Sequence, residues 1–212
     1  MKEADRILTV NKLSIKMRHP ILREFSYQFK QGQIYLIVAT NGTGKTTFFR
    51  TITNLVKREQ GEVYFDNHPF NQSKRRVFFY ESSDWFDGNL SGLDYLKFVK
   101  QQWHSNQKIT DIISDWGMTE YIKVPIKKYS LGMKQHILIA MYFISNADYL
   151  VMDEISNGLD ENSRKLLYSK LQTTAKQKQK CIIISSHYRS DMTPIVDHIL
   201  ELKDQVMKEI SK

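Results

Sequence analysis

The chain has 212 residues, 41% hydrophobic and 25% charged, with a net charge of +8; these totals fit one soluble domain, 1–212, long enough to bury a full core. Its longest apolar run, 137–144, falls well short of the roughly 18 residues that cross a bilayer, and the polar start, Met1-Lys2-Glu3-Ala4-Asp5, lacks a signal-peptide apolar core, so the expected location is the cytosol. The basic clusters Lys74-Arg75-Arg76, Lys127-Lys128 and Lys176/Lys178/Lys180 are scattered and read as solvated faces, no nucleic-acid-binding motif is present, and the lone Cys181 excludes a disulfide scaffold.

Taken in order, 7–15 and 25–29 alternate apolar with polar residues, the two-residue period of half-buried strands, and the charged stretch 16–20 between them reads as a turn. An apolar strand at 34–38 leads through Ala39-Thr40-Asn41-Gly42-Thr43-Gly44-Lys45-Thr46-Thr47 into a helix expected at 48–56. Strands are expected at 61–67 and 77–80. From Glu81 the signals turn helical: Ser91 caps a segment carrying Leu93, Leu96 and Val99, and Ile109, Ile112, Ile113 and Trp116 keep a 3-4 spacing. This predicts a helical subdomain, 81–135, inserted into an α/β core made of 1–80 and 136–212. The core continues with a buried helix at 132–144, a strand at 149–152, an amphipathic helix at 162–178, and strands at 181–184 and 199–202, the last expected. Strands alternating with helices predict a mainly parallel sheet covered on both faces.

The stretch after the 34–38 strand has the chemistry of a phosphate cradle. Gly42 and Gly44 let successive backbone N–H groups turn around an anion, and a helix N-terminus stands behind them. Asn41, Gly42, Thr43, Gly44, Lys45, Thr46 and Thr47 form the expected binding set. In it Lys45 reaches the β- and γ-phosphates and the Thr46 hydroxyl reaches Mg²⁺. Ala39 stands where G-x-x-x-x-G-K-[ST] has its first glycine, a methyl that is tolerated if φ stays negative.

Asp153 and Glu154 close the apolar run 149–152, and ligands of parallel sheets bind outside the carboxyl ends of strands. Asp153 is therefore expected to hold Mg²⁺ and Glu154 to accept a proton from an attacking water. His187 follows the buried strand at 181–184 and is placed to bond a γ-phosphate oxygen.

With these parts in this order the chain resembles, over nearly its whole length, the nucleotide-binding subunit of an ABC transporter. The resemblance implies a P-loop NTPase with a RecA-like core, an N-terminal antiparallel β subdomain and an inserted helical subdomain. It implies ATP and Mg²⁺ as ligands. Tyr129-Ser130-Leu131-Gly132-Met133-Lys134-Gln135 occupies the place of the family's L-S-G-G-Q signature, so Ser130, Leu131, Gly132 and Met133 are expected to face the ATP of a second cassette. Asn157, Gly158, Leu159 and Asp160 match the loop that crosses the dimer interface. Glu81 stands where the family has a glutamine and is carried over as a metal ligand beside Thr46 and Asp153. The aromatic residue that stacks on adenine has no counterpart among Met17, Arg18 and His19.

The function so implied is ATP hydrolysis coupled to transport, in the export direction, through separate integral membrane permease subunits. The chain would work as a homodimer or heterodimer on the inner face of the membrane. Competing readings are a soluble ABC-type ATPase acting on nucleic acid or ribosomes, supported only by the positive charge, and a binding-only regulatory cassette, motivated by Ala39, Glu81, Leu131 and the missing aromatic residue.

Overall fold

A computed structural model describes residues 6–186 and 189–212. Ten strands and seven helices are present among them: β1 (Ile7–Lys16), β2 (Pro20–Lys30), β3 (Ile34–Val38), α1 (Lys45–Ile52), β4 (Gln60–Phe65), β5 (His68–Pro69), α2 (Phe70–Ser73), β6 (Val77–Phe79), α3 (Gly92–Gln102), α4 (Ile109–Asp115), α5 (Leu131–Ser145), β7 (Tyr149–Met152), α6 (Glu161–Lys176), β8 (Cys181–Ser185), α7 (Arg189–Met192), β9 (His198–Lys203) and β10 (Val206–Ile210). They build an antiparallel sheet in the order β2-β1-β4-β5 and a second sheet in the order β10-β9-β3-β8-β7-β6. In the second sheet the pairs from β9 through β6 are all parallel, and only β10 runs antiparallel.

Burial explains why the central strands are continuous apolar runs. β7 and β8 are buried at every residue, because both faces of a parallel sheet are covered. One face packs against α5 and α6 and reaches Leu96, Val99, Ile112 and Trp116 of the helical block. The other closes on the antiparallel sheet through Leu8, Phe29, Tyr35, Phe48, Phe65 and Ile183. Each such buried side chain contributes about 1.5–3 kcal/mol, and the sheet that carries the site lies between the two cores.

The helical block hangs on α5. Helix α3 begins in a capping box, with Ser91 Oγ accepting from Asp94 N at 3.2 Å and Asp94 Oδ2 accepting from Ser91 N at 2.9 Å. Gly92 brings α3 close: a Cβ there would lie 2.5 Å from Ile137 Cδ1 of α5. Helix α5 runs straight through position 135 and ties the block to the sheet, where Tyr142 Oη donates to Val151 O of β7 at 2.7 Å. From Ile137 to Ile144 its residues are buried on nearly every face, so this part behaves as an interior helix, while Leu131 at its start is exposed.

Two sequence expectations shift. The helix after the cradle starts at Lys45 and stops at Ile52 instead of spanning 48–56. The turn made by Gly44 at φ 114° starts it early, and Asn54, at φ 59°, turns the chain out of it. A further strand, β10, follows the one expected to be last. Its polar residues face solvent at the sheet edge, which left it without an apolar run to announce it.

Candidate functional site

The cradle is the loop between β3 and α1. Gly42 and Gly44 hold φ values of 80° and 114°, and a Cβ on Gly44 would sit 2.2 Å from Ile21 Cγ2 of β2, so both backbone conformation and space require glycine there. Ala39 has no positive φ, and its methyl packs on the core between the sheets. The absent first glycine therefore costs the loop nothing in backbone strain. Lys45 Nζ donates to Ala39 O at 3.0 Å, folding the ammonium back over the loop.

Asn41, Gly42, Gly44, Lys45, Thr46, Thr47 and Glu154 line one concavity. Thr46 and Glu154 also line the cleft beside it, together with Glu81, Asp153 and Asn157. Residues more than 100 positions apart thus meet at the carboxyl ends of β3 and β7, where the sheet exposes its loop edge. Thr43 Oγ1 donates to Thr40 O within the loop.

Asp153 is 9% exposed and accepts from two hydroxyls, Thr46 Oγ1 on Oδ2 at 2.5 Å and Ser185 Oγ on Oδ1 at 2.5 Å. Burial pushes its carboxyl up, the Ser185 and Thr46 hydroxyls pull it down, and the charges of Glu154 and Glu81 add to the rise. A hydroxyl and a buried carboxylate at this spacing form a hard-oxygen pair of the kind that Mg²⁺ takes along with phosphate oxygens and water. That donor set fits the cation.

Glu154 adopts φ 49°, a left-handed conformation that costs a non-glycine residue about 1–3 kcal/mol and concentrates at functional sites. Its N–H donates to Ser185 Oγ at 3.0 Å, and its Oε2 accepts from Asn157 Nδ2 at 3.0 Å. Ser185 therefore braces the Asp153 carboxylate and the Glu154 backbone. Glu81, at the end of the loop edge beside β6, is held by Arg50 of α1: Nε donates to Oε2 at 2.5 Å and Nη2 to Oε1.

The signature stretch is built differently. Ser130 caps α5, its Oγ accepting from Met133 N at 3.2 Å, and Leu131 is 61% exposed. Gln135 Nε2 donates to Ile155 O at 2.5 Å, joining the start of α5 to the loop that follows the carboxylates. Leu131 lies over Gly158, where an added Cβ would come within 3.2 Å of Leu131 Cδ2. Leu159 is buried, its carbonyl accepting from Arg164 Nη1 at 2.9 Å, and Asp160 caps α6 by accepting from Ser163 N at 2.7 Å.

Lys45, Thr46, Asp153 and Glu154 are brought together, with Glu81 on the same cleft. The cradle set is contiguous; Leu131, Asn157 and Gly158 line the adjoining cleft, while Ser130, Gly132, Met133, Leu159 and Asp160 line a separate hollow that shares Gly158 with it. His187 falls outside the described residues. Beside Gly42 and Thr43 a second hollow is lined by Met17, Arg18, His19 and Pro20 and, across it, by Leu202 to Gln205. Sequence reasoning missed Arg50, Gln135 and Ser185. Only Ser185 left a local trace, a hydroxyl ending an otherwise apolar strand.

The bacitracin transport ATP-binding protein BcrA of Bacillus licheniformis is 31% identical over 176 residues, covering 80% of this chain and 58% of its own length. The lantibiotic transport ATP-binding protein SrtF of Streptococcus pyogenes is 29% identical over 184 residues, covering 86% of this chain and 80% of its own. The chain spans less than two thirds of the length of the first curated relatives it matches, 64% and 58%. Among solved structures, an ATP-binding subunit of an ABC transporter superposes with a TM-score of 0.87 at 17% identity, over 96% of this chain and 90% of that one, and carries the same fold. The ABC transporter family itself matches residues 22–157. With that match over more than half its length, on a cradle and carboxylate pair joined at one sheet edge, the chain belongs to the ABC transporter family.

Proposed function

We propose that this chain hydrolyses ATP and uses the energy to drive export through separate integral membrane permease subunits. The observation that carries the reading is the junction of Lys45, Thr46, Asp153 and Glu154 along one edge of a doubly covered parallel sheet. Cradle N–H groups and Lys45 bind and orient the triphosphate. Mg²⁺, held by Thr46 and Asp153, supplies charge neutralisation for the phosphate oxygens when bound. Glu154 takes the proton of the attacking water; its strained backbone, braced by Ser185 and Asn157, fixes where that carboxylate points. His187 follows β8 in the sequence and is the proposed donor to the γ-phosphate.

Ser130, Leu131, Gly132 and Met133 close on the ATP of a second cassette, and Asn157 to Asp160 lie along the joint. The exposure of Ser130 and Leu131 at the start of α5 supports this assignment. Among the described residues no helix is long and apolar enough to cross a membrane, which suits work through permease chains at the inner membrane face. The names of BcrA and SrtF, bacitracin and lantibiotic transport, support an exported peptide-like cargo. The test is Glu154→Gln with nucleotide binding read alongside. Turnover is expected to fall by about 10²-fold or more while ATP still binds. Unchanged turnover would take the proton-accepting role away from Glu154.

A further inference from the structure

Four carboxylates, Glu81, Asp84, Asp153 and Glu154, line the cleft that adjoins the phosphate cradle, and of these Asp84 alone is exposed to solvent. Crowded acids beside a polyphosphate oppose its binding unless each charge is answered. Asp153 is answered by two hydroxyls, and Glu154 accepts from Asn157. Glu81 is answered by a full charge: Arg50, five residues beyond Lys45 on α1, grips both of its oxygens in a planar fork. The Glu81 side chain is only 14% exposed, so solvent screens it weakly. Both Glu81 oxygens accept from the guanidinium, which leaves Thr46 and Asp153, bonded to each other, as the pair proposed to hold the cation.

We infer that Arg50 is a positioning residue for the nucleotide reaction proposed above, holding Glu81 neutralised and turned away from the metal so that a carboxylate can occupy this place without repelling the phosphates. Arg50 touches neither nucleotide nor metal in this role. It acts through Glu81, and its removal is felt as charge.

The experiment is calorimetric titration of the full chain with ADP, once with magnesium and once in EDTA, with thermal unfolding of each nucleotide-free variant as a check on folding. Arg50→Met is expected to weaken binding about tenfold in both conditions, the scale of one uncompensated charge roughly 10 Å away at an effective dielectric near 20. The double variant Arg50→Met/Glu81→Gln is expected to return to within about twofold of the parent, since the charge that needed an answer is gone. Glu81→Gln alone is expected to bind ADP more tightly in EDTA and to keep the full tightening that magnesium brings. Binding by Arg50→Met equal to the parent, or a double variant as weak as Arg50→Met, overturns the inference. So does a Glu81→Gln protein that loses the magnesium effect, which would make Glu81 a metal ligand. If Arg50→Met does not fold, the Glu81→Gln result decides by the same two outcomes. A parent chain that binds no nucleotide would instead sink the proposed function, and the inference with it.

Discussion

The two sides of the cleft are built to different rules. On the cradle side the key polar groups are cross-linked: Thr46 to Asp153, Asp153 to Ser185 and Glu81 to Arg50 join separate elements, while Lys45 to Ala39 and Glu154 to Asn157 brace their own loops. On the signature side Ser130 only caps its own helix, and Leu131 stands in solvent. The first side is complete within one chain, preorganised by a sheet packed between two cores. The second presents a helix N-terminus and an exposed leucine, as the proposed contact with a second cassette requires. Damage to the cradle should therefore be felt by an isolated chain, and damage to the signature only where two cassettes meet.

Gly132→Asp is the sharpest way to break that contrast. A Cβ at Gly132 meets only Gly158 O at 3.8 Å and Ser130 Oγ at 4.0 Å, so the substitution should fold. It places a negative charge where a partner's phosphates would arrive. Turnover at concentrations that allow pairing is expected to fall about 10²-fold by loss of a helix-terminal anion contact, with single-chain nucleotide affinity kept within about twofold. Equal loss of affinity in the isolated chain would mean that the signature serves its own cradle.

Ser130→Ala should have a smaller effect, on stability. Loss of the cap is expected to cost about 1 kcal/mol, read as a lowered unfolding midpoint, and Ser130→Asp should recover most of it. No change would mean that the cap is replaced by water and that Ser130 is kept for chemistry alone.

The smallest effect lies between the two regions. His136 of α5, with Tyr121 Oη at 3.3 Å and Ser163 Oγ at 3.2 Å, is held below its ordinary value by burial, against a weaker upward pull from Asp160. The folded chain then binds fewer protons than the unfolded one just below the ordinary histidine value of about 6.5. Its contribution is intact above that pH and is lost as pH falls toward the lowered folded value. His136→Gln should flatten the decline of the unfolding midpoint between about pH 7 and 5. An identical decline would assign the acid sensitivity to other groups.

How far the sequence could be read follows the same division. β3 and β7 match expectation to the residue because each is an unbroken apolar run buried on both faces and stopped by a polar turn. β10 escaped because an edge strand with Lys208 and Glu209 outward has no such run. In the site, Lys45, Thr46, Asp153 and Glu154 were legible because local spacing fixes a turn or a strand end. Arg50 and Ser185 were not, since they matter only through partners 31 and 32 positions away. The signature could be named by resemblance alone, since no contact within the chain marks the role proposed for it.

Nucleotide titration of the parent against Lys45→Ala and Asp153→Asn tests the central claim most directly, that one edge of the parallel sheet gathers a single magnesium-nucleotide. One ADP should bind per chain. Lys45→Ala should weaken it roughly 10- to 100-fold with or without magnesium, as expected for a lost charge-assisted contact. Asp153→Asn should weaken it only where magnesium is present. Parent-like binding by both variants would contradict the claim and put the nucleotide elsewhere on the molecule.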